Sequence, residues 1–287
     1  MAVYRKSLYS NSDISEYFDT TRDHYNRWWK LRESRSLHYG IWDEGVKSFA
    51  ESLENTNRVM MDICGISAGD KILDAGCGVG GTAFYLNKVK NAEVTGISLS
   101  EKQIQLASEY AVKNNLSPKV SFEVMDFTRT TFPDETFDIV WACESVCQAA
   151  DRKAFIAESY RVLKKGGRLI ICDYFLPYDD QKDRHLWIRK WCDAWAVSGL
   201  VTLDDFREGL ILSGYNDIRS FDYTTKIIRS SRRMYLSSLA GALPSEIYNL
   251  FHPKVSRFAK RHYRSGYYQY KALKAGLWKY VIVKAVK

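Results

Sequence analysis

Between residues 67 and 175, short apolar runs alternate with segments whose apolar positions recur at helical spacing. The first run covers Ile72 to Ala75 and enters four glycines, Gly76, Gly78, Gly80 and Gly81, after which a helical pattern starts at once. Further strands are predicted at Ala92–Ile97, Val120–Met125, Phe137–Ala142 and Lys165–Cys172. Strand and helix in alternation imply βαβ units around a parallel sheet. Ser100-Glu101-Lys102-Gln103 reads as a capping box opening one crossover helix. Asp151 caps a second helix, expected to stop at Gly166, and Thr202-Leu203-Asp204-Asp205 starts a third that ends near Gly214.

On either side the pattern changes. Residues 12–64 look helical and aromatic, with Tyr17, Phe18, Tyr25, Trp28 and Trp29, then Leu37-His38-Tyr39-Gly40-Ile41-Trp42. After the fifth strand, Trp187, Trp191 and Trp195 recur at four-residue spacing and share one helix face. Residues 226–276 separate a sixth strand, Asp217–Tyr223, from a last one, Trp278–Val283. Four parts are expected: an N-terminal helical lid (1–64), a core (65–225), a helical cap insertion (226–276) and a last core strand (277–287).

A length of 287 residues, with 46% hydrophobic and 14% aromatic, is ample for one large packed domain. No apolar run approaches a membrane span, and Met1–Lys6 has no signal-peptide hydrophobic region. The six cysteines show no CxxC or framework spacing. They read as small free hydrophobes of a reduced, cytoplasmic protein, with no metal site expected. The net charge of +8 collects late, from Lys226 to Lys274. Solvated helix faces, a rim for an anionic group such as a diphosphate, and a nucleic-acid surface are all open to such a run, but no recognition motif accompanies it.

The glycine string formally satisfies G-x-G-x-x-G, so a nicotinamide or flavin oxidoreductase has to be considered. Such an enzyme would place an acid at the tip of the second strand to hold the ribose, and Ser98-Leu99-Ser100 stands there instead. Carboxylates occur at Asp74, two residues before the first glycine, and at Asp126, after the third strand. In this order the series resembles the class I S-adenosylmethionine-dependent methyltransferases, over roughly residues 35–222. The resemblance implies a Rossmann-like α/β fold: a mostly parallel sheet with an antiparallel last strand, capped by helices from the N-terminal and inserted segments. It implies S-adenosyl-L-methionine as the cofactor.

Position by position, the resemblance puts Asp74 near the methionine end, and Gly76 and Gly78 in the loop against the cofactor. Ser98, Leu99 and Gln103 fall at the ribose, as in the cyclopropane-synthase and sterol or tocopherol methyltransferase branches. Asp126 and Phe127 fall at the adenine, and Ala142 where the fourth strand opens into the site. Tyr39 resembles a lid residue of tocopherol-type enzymes, with His38 a candidate base beside it. Glu144 is open to two readings: general base or substrate holder, against helix cap or arginine partner. Cys77 has no visible basic partner and reads as a turn residue.

The function expected is methyl transfer to a small, largely apolar acceptor, isoprenoid or prenylated, at carbon. Transfer to oxygen or nitrogen is the alternative. The basic late segment would serve an anionic head. A nucleic-acid substrate is not expected, because Ala142-Cys143-Glu144-Ser145 stands where base-modifying enzymes carry a Pro-Pro motif.

Overall fold

The computed structural model describes residues 8–29, 31–116, 118–149 and 151–287, without the side chains of 22–24, 26–29, 32 and 33. The sequence readings at Met1–Lys6, Trp28 and Trp29 therefore lie outside the described residues. The chain opens with α1 (Asn11–Trp29), α2 (Leu31–Ser34) and α3 (Phe49–Cys64). The core follows as β1 (Lys71–Ala75), α4 (Gly81–Lys90), β2 (Glu93–Ser98), α5 (Glu101–Lys113), β3 (Val120–Val124), β4 (Phe137–Cys143), α6 (Arg152–Val162) and β5 (Leu163–Phe175). Then come α7 (Trp187–Ala194), α8 (Leu203–Leu212), β6 (Asn216–Asp222), α9 (Ile228–Phe251), α10 (Arg257–His262), α11 (Ser265–Lys274) and β7 (Lys279–Val286).

The seven strands form one sheet in the order β3-β2-β1-β4-β5-β7-β6. The first five run parallel, and β7 pairs antiparallel with both β5 and β6. This is a Rossmann-like sheet, mostly parallel with an antiparallel last strand, as expected. Its central strands are buried on both faces, which is why they read as apolar runs with no alternation. Successive residues still serve opposite layers: Ile72, Ile139, Ile170 and Ile282 face one core, and Leu73, Val140, Leu169 and Val283 the other.

The capping residues read from the sequence hold their helices. Ser100 Oγ accepts from Gln103 N (3.2 Å), Asp151 from Lys153 and Ala154 N, and Thr202 Oγ1 from Asp205 N (3.1 Å). One boundary differs. The helix begun at Asp151 ends at Val162, short of Gly166, because Leu163 is already extended (φ −72°, ψ 137°) and pairs with Phe137 of β4. Sheet pairing overrides the helical pattern there. Among the described residues no helix is long and apolar enough to cross a membrane.

Candidate active site

Strand order reverses at β1, whose neighbours are β2 and β4, and a crevice opens at the carboxyl ends of these strands. The turn after β1 is anchored where Gly76 N and Cys77 N both donate to Ile97 O (3.0 Å each). Gly76 (φ +96°) and Gly78 (φ +53°) both lie in the left-handed region. The reason for glycine differs between them. A Cβ on Gly76 would fall on the Ser145 side chain, whereas one on Gly78 would meet only Leu37 Cδ1, at 3.7 Å. Packing therefore demands glycine at 76, so that the β4 loop can close over it, and leaves room beside Gly78.

Asp74, Gly76, Gly78, Ser98, Leu99, Gln103, Asp126, Phe127, His38 and Glu144 all line this one cavity. The Asp74 carboxyl is buried, and burial pushes its pKa up to about 7. Its Oδ2 has no hydrogen-bond partner among the described residues. A buried carboxyl with an unpartnered oxygen fits a cationic ligand group. Ser98 Oγ donates to Gln103 Oε1 (2.9 Å), joining the hydroxyl and the amide in one unit. Asp126 accepts from Thr128 N (2.8 Å) and Thr128 Oγ1 (2.7 Å) on Oδ1, and from Asn11 Nδ2 (2.6 Å) on Oδ2. It is thus a turn former and a tie to α1, with a lone pair left on Oδ2. Cys77 is buried and its thiol is pushed up by that burial, which suits a turn residue and not a nucleophile.

Glu144 sits one residue past β4 with φ +52°, a conformation that costs a non-glycine residue and recurs at functional sites. Its backbone N donates to Cys172 O (2.8 Å). Its carboxylate accepts from Tyr39 N (2.5 Å), Tyr280 Oη (2.7 Å) and Tyr174 Oη. Burial raises its pKa well above the usual carboxylate range, while the donors from Tyr280 and Tyr39 pull it back. The cap or arginine-partner reading finds no support in these contacts. Tyr174 and Tyr280 escaped sequence reasoning. They face each other in the β5–β7 register, a pairing no local pattern announces.

His38 Nδ1 lies 3.0 Å from Tyr39 O, which can only accept. That fixes the proton on Nδ1 and leaves the lone pair on Nε2 in the neutral ring. Burial lowers the His38 pKa to about 4, so the ring is neutral near pH 7.

Two expected residues do not reach the cavity. Tyr39 is buried behind Glu144, with rings of Tyr174, Tyr280 and Trp278 around it and its hydroxyl donating to Gln269. Ala142 packs into the core layer beneath β4. Leu37, Ser36 and the α1 residues Asn11, Ile14 and Phe18 line the cavity instead. The last three recur three and four apart, a spacing that could have marked them. The tryptophan stripe is mostly packing. Trp191 is buried against Tyr174 and Trp278 at 5.0 Å each, Trp187 stacks on His185, and none of the three lines the cavity. Tyr263, Tyr267, Tyr268 and Tyr270 likewise stand outside it.

Residues 73–171 match the family described as "Methyltransferase domain". The chain is 34% identical over 165 residues to 27-O-demethylrifamycin SV methyltransferase of Amycolatopsis mediterranei, covering 58% of this chain and 59% of that one. It is 35% identical over 180 residues to a sterol 24-C-methyltransferase of Gibberella zeae, covering 61% and 47%. The chain thus spans about half the length of the curated relatives it matches. Two solved structures share the fold. The geranyl diphosphate C-methyltransferase of Streptomyces coelicolor, bound to Mg2+, geranyl diphosphate and S-adenosyl-L-homocysteine, matches with TM-score 0.73 at 18% identity, over 96% of this chain and 97% of that one. The [4+2]-cyclase SpnF matches with TM-score 0.80 at 20% identity, over 99% of each chain. Since one of these is a cyclase, the shared fold by itself does not specify methyl transfer.

Proposed function

We propose that this chain, a member of the class I S-adenosylmethionine-dependent methyltransferase family, methylates a small, largely apolar acceptor at carbon. The observation that carries the reading is Glu144: a buried carboxylate at the cavity, held from behind by Tyr39 N–H, Tyr174 and Tyr280.

S-Adenosylmethionine, when bound, supplies an electrophilic methyl group on a sulfonium centre. Asp74 Oδ2 would hold the cationic methionine end, Ser98 and Gln103 the ribose, and Asp126 with Phe127 the adenine. Leu37, Ile14 and Phe18 close over the crevice and exclude water, which strengthens every charge interaction inside. When a double bond of the acceptor takes the methyl group, its other carbon becomes cationic, and a proton must then be lost. Glu144, made more basic by burial, is suited to take it. The three donors fix its orientation, so little reorganisation accompanies the transfer. The sterol 24-C-methyltransferase and the geranyl diphosphate C-methyltransferase described above are both named for transfer to carbon, which supports the same class here.

His38 favours a second reading. Its neutral ring at the cavity could deprotonate a hydroxyl and serve O-methylation. Labelled S-adenosylmethionine offered with prenyl diphosphates, prenylated phenols, sterols and small amines separates the two. Glu144→Gln is expected to lower transfer to a carbon acceptor by about 100-fold or more, the usual range for a lost general base, with cofactor affinity retained. Wild-type turnover in that variant, with His38→Asn inactive on a hydroxyl acceptor, would move the activity to oxygen. Methylation of small amines alone would remove the apolar acceptor.

A further inference from the structure

The basic late segment finds no use in the site just described. Residues 226–276 carry eleven Lys and Arg against a single acidic residue, Glu246, so they hold a larger positive charge than the whole chain. Their longest element, α9, is built inside out. It buries Ser230, Ser231, Met234, Ser238 and Gly241. It exposes Leu236, Leu239, Leu243, Ile247, Leu250 and Phe251. Leu243, Leu250 and Phe251 are 72, 76 and 73% exposed, and steps of three and four residues put the six along one face. Scattered exposed leucines need no explanation, but a continuous ridge does.

The charge follows the same face. Arg229, Arg232 and Arg233 occupy the first turns of α9 at angular positions that overlap the leucines, and all three are exposed. Cations at a helix N-terminus oppose its dipole; Arg229 and Arg233 also lie over the Trp42 and Phe49 rings (3.7 and 4.7 Å), with their exposed edges still toward solvent. Lys254 and Arg261 follow beyond the far end, exposed and with no ion pair among the described residues.

We propose that this face of α9 docks the protein on the surface of an anionic lipid bilayer. The ridge would enter the headgroup boundary, and the flanking arginines and lysines would meet lipid phosphates. A second copy of the chain fits the face less well. Two α9 helices packed antiparallel would bring the arginines of one end against Lys254 of the other, where Glu246 is already taken up by Arg264 and Asp13 by Arg257. Behind the ridge, α9, α10 and α11 enclose a cleft of about 520 Å3 that reaches Trp195. Trp195 O accepts from Gln148 Nε2 (2.9 Å), and Gln148 lines the catalytic cavity. The helix that carries the docking face thus also walls a cleft next to the cavity, where an apolar acceptor drawn from lipid could be received, and only this last point rests on the acceptor reading above.

Vesicle flotation tests the proposal with full-length protein and no cofactor. Phosphatidylcholine vesicles with and without about 30% phosphatidylglycerol are compared at low and high salt. Binding is expected on the anionic vesicles only, weakened by salt over the Debye range. L243E/L250E is expected to lower partitioning about tenfold or more, and R229E/R232E to remove the preference for anionic lipid. These are surface positions, and bound S-adenosylhomocysteine measured by calorimetry reports that each variant is folded. Two results would overturn the proposal. One is wild-type protein that stays off anionic vesicles while showing a dimer in light scattering that L243E/L250E dissolves. The other is a folded monomer with no vesicle binding at all. Neither touches the methyl-transfer reading, which is assayed on detergent-dispersed acceptor.

Discussion

At the scale of single residues, the site trades stability for charge. Asp74 has a pKa of about 7 in the fold, against an ordinary 3.8. Between those values the unfolded chain has lost the proton that the folded chain keeps, so this group's contribution to stability falls as pH rises from about 4 to 7. A tenfold difference in proton affinity between the two states is worth about 1.4 kcal/mol, so the loss is of the order of a few kcal/mol by pH 8. Asp173, also raised to about 7, acts in the same direction. His38, lowered to about 4, acts oppositely between about 4 and 6.5. The wild-type curve alone is therefore mixed, and Asp74→Asn isolates one group. That variant is expected to melt higher than wild type at pH 8 without ligand, with the gap closing as pH falls to 4, and to bind cofactor poorly. Equal melting temperatures at every pH would return Asp74 to an ordinary carboxylate. The sequence made Asp74, Gly78 and Glu144 legible because each stands at the end of a strand. What made Glu144 strained and clamped was not legible, since Tyr174 and Tyr280 meet it only through pairing between strands far apart in the chain.

Among elements, the parallel strands were the most readable, because burial on both faces leaves continuous apolar runs and caps mark the helices between them. The lid was read least well. Resemblance to tocopherol-type enzymes points to Tyr39, yet its ring packs in the core, and α1 lines the cavity. Helix α1 is fastened at both rims of the cavity: Asn11 donates to Asp126 (2.6 Å), and Asp19 accepts from Ser100 Oγ (2.7 Å). The first of these contacts ties the lid to the predicted adenine carboxylate. Phe18→Ala is expected to weaken S-adenosylhomocysteine binding by about 10-fold, through a lost apolar wall, with a smaller change in stability. Asn11→Ala should weaken it less, since an exposed hydrogen bond contributes only about 1 kcal/mol. Calorimetry that gives wild-type affinity for both would place the lid elsewhere.

For the molecule as a whole, one chain of contacts joins the Glu144 carboxylate to the cap. Glu144 accepts from Tyr39 N, Tyr39 Oη donates to Gln269, and Ser231 Oγ donates to the same Gln269 oxygen (2.9 Å). Gln269 is fully buried in α11 and Ser231 in α9, so the site is wired to both long cap helices. Helix α1 reaches the third cap helix through Arg257 to Asp13 and through Tyr17 packed edge-on against Phe258 at 5.9 Å. The core, lid and cap should therefore tighten together when the cavity fills. Bound S-adenosylhomocysteine is expected to slow hydrogen exchange around residues 74–81 and 126–128, and also in α9 and α11. Gln269→Leu keeps the volume and removes the shared acceptor, leaving two buried hydroxyls without it at a cost of about 1–3 kcal/mol each. In that variant the melting temperature should fall by several degrees. Ligand protection should persist at 74–81 and disappear from α9 and α11. Wild-type protein whose protection stops at the core would show that the cap is packed beside the site without sensing it.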